Sequence, residues 1–215
     1  MLISLRSRGF RTKTIKVNSK AQNERIVIAP IEGFAEELLE RIGREVERIY
    51  GWATRVRPLL RSVDFAFDAR REQYHSTAIL QKLAARAPDD THKILAITQV
   101  DLFIPILTYV YGEAQLGGTA CIISTHRLQA EEAAGNPGKG SFGDRIGKEA
   151  IHELGHTFNL RHCPEHTCIM HYCRNVDDVD RKSDQLCRHC TVLLGDEVKR
   201  IRAGTHAGNI GRLSE

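Results

Sequence analysis

The chain is 215 residues long, 41% hydrophobic and 27% charged, with a net charge of +4. That length suits one domain or a compact pair of subdomains with a genuine core. No apolar run approaches the roughly 20 residues of a membrane span and the start lacks the apolar core of a secretory signal, so no membrane association is expected.

Residues 1–25 hold seven Lys/Arg and one acid; the rest of the chain holds 24 basic and 26 acidic residues. The basic stretch reads as a disordered extension or a start placed too early, and it loosely resembles an organellar presequence. Residues 26–215 are near neutral, which speaks against a nucleic-acid binder. "RIVIAPIEGF" reads as a buried strand that ends at Pro30 and Gly33. In "AEELLERIGREVERIYG", Leu38, Leu39, Ile42, Val46, Ile49 and Tyr50 fall at helical spacing, with Gly51 as the stop. "WATRVRPL" reads as a second strand. Asp68 is placed to cap a helix running through Arg86, with Ala78, Ile79, Leu83 and Ala87 on one side. "KILAITQVDLF" is a third strand, and "ILTYVYGEAQLGGTACIISTHRL" reads as a hairpin turning near Gly117 and Gly118. Gln129 to Gly140 is a glycine-rich loop, and a helix opens at Ser141. After Cys190, Val192, Leu193, Val198 and Ile201 are spaced for a last helix that packs back on the chain. The order points to an α/β sheet layer with helices packed on it.

The helix from Ser141 carries "HELGHTFNLRHC", His152 to Cys163. His152 and His156 project from one face, where a single zinc ion can take both imidazoles. Glu153 lies to the side and suits a general base for a zinc-bound water that attacks a peptide carbonyl. His162 joins only if the helix ends near residue 159 and turns back sharply, because ten residues of unbroken helix span roughly 15 Å. Asn159 stands where glycine is the usual left-handed residue, and asparagine is the next most tolerant type.

These residues resemble the metzincin metalloproteases, whose pattern is H-E-x-x-H-x-x-G-x-x-H followed by a methionine turn beneath the metal. Two departures matter: Asn159 in place of glycine, and Tyr172 after the methionine. The closer resemblance is to the archaemetzincins, which add four cysteines around a second, structural zinc. It is strong from His152 to Cys190. It implies a metzincin-like mixed twisted sheet with packed helices and an active-site helix (residues 26–160). A small Cys-rich subdomain stapled by zinc would follow (residues 161–215). It also implies that Met170 is the floor under the imidazoles, that Cys163, Cys168, Cys187 and Cys190 hold the structural zinc, and that two zinc ions bind per chain. The pairs Cys163–Cys168 and Cys187–Cys190 can close one tetrahedral site that admits no water, although Cys173, His166, His171 and His189 compete. "IMHY" is similar to the astacin branch, in which a tyrosine two residues past the methionine reaches the zinc. Tyr172 either does this, donating to the oxyanion, or simply packs beside the site.

The leading expectation is a zinc-dependent peptidase that takes its substrate as an added strand along an edge around Leu107 to Gln115. The resemblance implies aminopeptidase or short-peptide activity. The alternatives are a zinc-stabilised binding module without turnover, for nucleic acid or a protein partner, and a peptidase fold that has lost turnover through Asn159. A peptide is the expected partner and a monomer fits. Cysteines clustered with histidines point to a reducing, cytoplasmic setting, and lone Cys121 reads as a core thiol.

Overall fold

The computed structural model describes residues 25–129 and 140–204. Residues 1–24 of the basic stretch and nearly all of the glycine-rich loop lie outside them, whereas Arg25 already belongs to the first strand. The main sheet has five strands: β1 (Arg25–Pro30), β2 (Thr54–Val56), β5 (Thr91–Thr98), β7 (Gly112–Ala114) and β8 (Ala120–Ser124). Their order is β2-β1-β5-β8-β7. All neighbours are parallel except β7, which runs antiparallel to β8 at the edge. The central strands are apolar without alternation because both faces are covered, as parallel sheets require. Ile26, Ile28, Leu95, Ile97, Cys121 and Ile123 face one core. Val27, Ala29, Ile94, Ala96, Ala120 and Ile122 face the other.

The first face is covered by α1 (Glu36–Tyr50) and α3 (Phe142–Thr157). Gly51 ends α1 in the left-handed conformation (φ 73°) expected of it. Ser141 caps α3 in a reciprocal box with Asp144, two orphan donors being satisfied at once. The short α4 (Val176–Arg181) and the terminal α5 (Arg188–Arg202) complete this side. Met170, Val179, Cys190 and Leu194 belong to the same apolar cluster as the sheet. On α5 the face differs from the sequence reading. Val192 and Leu193 are exposed, Cys190 and Leu194 are buried, and Val198 and Ile201 pack partly on the core.

The second face is covered by α2 (Ser76–Ala84), which is shorter than the helix expected from Asp68 to Arg86. Asp68 instead accepts from the backbone N–H groups of Arg70 and Arg71, closing a turn. That turn joins β3 (Phe67–Asp68) to β4 (Gln73–His75), and β4 pairs with β6 (Leu102–Phe103) in a second, three-stranded sheet. Leu102 and Phe103 therefore do not continue the third strand; the chain bends after Thr98. Cys121 is a buried core thiol, as its surroundings implied. No described helix is long and apolar enough to cross a membrane.

Candidate metal centre and cleft

The carboxyl end of α3 sets the geometry. Asn159 adopts φ 64°. Its N–H donates to the His156 carbonyl at 2.9 Å, and that of Leu160 donates to the Gly155 carbonyl at 3.0 Å. This is the Schellman pattern with asparagine in the position usually held by glycine. The turn is held from outside as well. Lys93 Nζ donates to the Thr157 and Gly118 carbonyls at 2.8 and 2.7 Å. The Gly117 N–H donates to the His156 carbonyl at 2.9 Å. Phe158 stacks on Tyr50 with ring centroids 4.7 Å apart.

The reversal carries His162 back to the helix, so that one nitrogen each of His152, His156 and His162 lies within 4.8 Å of the others. The Nε2 atoms of His152 and His156 are 3.2 Å apart. Two nitrogens on one zinc at roughly 2.0–2.1 Å with tetrahedral angles stand about 3.3 Å apart, so the donor set fits the ion. Nδ1 of His152 meets the Ile169 carbonyl oxygen at 2.9 Å and Nδ1 of His156 meets that of Leu160 at 2.7 Å. A carbonyl only accepts, so Nδ1 carries the proton and Nε2 offers a lone pair, as when a carbonyl orients a metal-ligating histidine. Burial pushes all three rings below the ordinary histidine pKa, with Lys182 adding to the effect; His162 falls to about 4. The neutral form that a cation needs is thus favoured.

The sulfurs of Cys163, Cys168, Cys187 and Cys190 also lie within 4.8 Å of one another. Cys163 and Cys187 are 3.7 Å apart at sulfur, close to the roughly 3.8 Å that two 2.3 Å bonds at a tetrahedral centre impose. Cys187 stands at the N-cap position of α5, and its thiol pKa is lowered, first by the Cys190 backbone N–H, which favours the thiolate. Cys173, His166, His171 and His189 stand outside this group.

The family model of peptidase family M54 matches residues 13–196, beginning inside the basic stretch. The chain belongs to peptidase family M54. As a member it is a zinc metallopeptidase. It is 40% identical over 128 residues to an archaemetzincin of Halobacterium salinarum, covering 58% of this chain and 73% of that one. It is 33% identical over 172 residues to an archaemetzincin of Methanocaldococcus jannaschii, covering 80% and 93%. The crystal structure of archaemetzincin from Methanopyrus kandleri superposes with a TM-score of 0.71 at 29% identity, over 83% of this chain and 97% of that one. That of Archaeoglobus fulgidus, complexed with malonate, gives 0.66 at 30% identity, over 79% and 99%.

In this M54 chain the three histidines border a cleft of about 390 Å³. One wall is α3, with Glu149, His152, Glu153 and His156. The other runs from Ile104 to Ala114 and includes β7, and Tyr172 to Arg174 close the rim. Glu153 is buried, and burial pushes its carboxyl well above the usual range; Glu149 adds to the rise and Lys182 opposes it. Tyr172 is half exposed, and its ring packs at 5.1 Å from that of His162. Met170 is fully buried against Gly155, inside the histidine motif: a Cβ there would stand 2.6 Å from the methionine sulfur.

Several residues of this cleft escaped the sequence reading. Gly112 on β7 abuts Glu153, and a Cβ there would lie 2.5 Å from Glu153 Cγ and 2.7 Å from the Ile122 carbonyl oxygen. Glu149 and Lys182 form a buried ion pair at 2.7 Å. Glu149 was legible in principle, since 149, 152, 153 and 156 fall on one helical face. Lys182 and Lys93 had no local signal.

Proposed function

We propose that this chain hydrolyses peptide bonds at the three-histidine site, with Glu153 as general base and then general acid. A second zinc, held by Cys163, Cys168, Cys187 and Cys190, staples the C-terminal segment. The observation that carries this reading is the convergence of the three imidazoles on one point beside a buried carboxylate. Zinc, when bound, polarises the attacking water and the scissile carbonyl. The rest of the work falls to the chain. The Ile169 and Leu160 carbonyls hold two rings in the ligating tautomer. Glu153 accepts the proton of the attacking water and returns it to the departing amine. Its burial strengthens its hold on that proton during the transfer. Among the described residues β7 is the outermost strand of its sheet, and there the substrate backbone adds as a further strand. The Tyr109 hydroxyl donates across the cleft to the Arg174 carbonyl at 3.1 Å. That bridge and the small cleft favour short peptides, or cleavage near a chain end of the aminopeptidase type. Tyr172 supports the His162 ring by packing. Four thiolate ligands imply a reducing compartment such as the cytoplasm.

The test is Glu153→Ala in the zinc-loaded protein. Expected are unchanged folding, two bound zinc ions by elemental analysis, and peptide hydrolysis reduced to background. Hydrolysis at the wild-type rate in this variant refutes the mechanism.

A further inference from the structure

The loop from Cys163 to Cys173 carries two histidines that neither metal group uses. His171 is half-buried and pinned. Its Nδ1 meets the Cys163 carbonyl oxygen at 2.9 Å, and its backbone N–H donates to the Cys168 carbonyl at 2.9 Å. A carbonyl oxygen only accepts, so the Nδ1 proton is committed and Nε2 presents a lone pair. His152 and His156 are oriented by carbonyls in the same manner. The lone pair faces exposed His166, whose Nδ1 stands 3.2 Å from His171 Nε2, with ring centroids 4.6 Å apart. That spacing equals the one between the Nε2 atoms of His152 and His156, and it is close to the roughly 3.3 Å that a tetrahedral ion sets between two nitrogens.

We propose that His166 and His171 form a third metal site, a surface chelate for a divalent first-row transition ion such as Zn²⁺. Water completes its shell. Neutral imidazole suits these ions, and a hard cation such as Mg²⁺ or Ca²⁺ is disfavoured because it demands oxygen ligands. With two protein nitrogens and solvent, the site binds more weakly than a four-thiolate site and exchanges freely. Occupancy ties together residues five apart on the loop that also carries Cys163, Cys168 and Met170. The proposal rests on the histidine pair and is independent of the peptidase reading. A direct N–H···N hydrogen bond accounts for the same distance, and the two cases part when metal is added.

The experiment uses the full chain carrying its resident metal, freed of excess ion by dialysis and titrated calorimetrically with ZnCl₂ alone. The wild type is expected to take up one further, exchangeable equivalent. His166→Ala should weaken it at least about tenfold while leaving the resident metal content unchanged. Because His166 is exposed, that variant is expected to fold normally. His189→Ala, at an exposed position on α5, should behave as wild type. A wild type that binds no further ion overturns the proposal. So does a His166→Ala protein that binds it as tightly as wild type, or loss of the weak equivalent in His189→Ala alone.

Discussion

Replacing Lys182 by methionine isolates the electrostatics under the cleft. The side chains of Lys182 and Glu149 are 0% and 4% exposed, and their nitrogen and oxygen are 2.7 Å apart. Methionine keeps much of the stem and removes the charge, leaving a buried carboxylate without its partner. Breaking such a pair from one side costs about 3–5 kcal/mol. Lys182→Met should therefore lose about 3–5 kcal/mol, a fall of roughly 6–20 °C in melting temperature for a chain of this size. Urea unfolding of zinc-loaded wild type and variant at pH 7 measures the loss. Adding Glu149→Gln should recover much of it, because the carboxylate left behind is then no longer charged. A cost below about 1 kcal/mol, or no recovery in the double variant, refutes the reasoning.

Two further outcomes follow from the same geometry. Gly112→Ala places a methyl group 2.5 Å from Glu153 Cγ, with the Ile122 carbonyl behind it at 2.7 Å, so the carboxylate must move. Steady-state kinetics should show kcat lowered about 100-fold with KM little changed, since misplacement by roughly 1 Å costs that much; an unaltered kcat contradicts the role given to Gly112. Asp144 sits in the box that starts α3, and its pKa lies below the ordinary value: burial opposes this, while hydrogen bonds from Ser141 and Arg41 outweigh it. A depressed carboxylate stabilises fully above its unfolded pKa and loses that contribution as pH falls through the folded one. The difference in melting temperature between wild type and Asp144→Asn should therefore vanish on acidification from pH 6 to pH 2, and a constant difference counts against the box.

Much of the centre was legible because its determinants are local. The four-residue interval between His152 and His156 fixes a shared helical face whatever surrounds it. The need for a reversal before His162 pointed to Asn159, which adopts φ 64°. Ser141 and Gly51 marked helix ends through capping chemistry that acts within a few residues. The α2 start failed for a related reason. Asp68 serves a helix cap and a tight turn equally well, and only the pairing of Phe67–Asp68 with Gln73–Tyr74 chose the turn. Strands of two or three residues, such as β3, β4 and β6, are too short to carry an alternating pattern.

The sequence alone determined which atoms could hold a metal and where the chain had to turn, because spacing along a helix and left-handed tolerance are properties of neighbouring residues. Only the tertiary structure decided what surrounds them. Lys93 reaches Thr157 and Gly118, Lys182 reaches Glu149, and Gly112 makes room for Glu153. The physical reason is that burial, charge pairing and close approach act between residues brought together by packing. Their sequence separations, 64 for Lys93–Thr157 and 33 for Lys182–Glu149, leave no periodic trace in the chain.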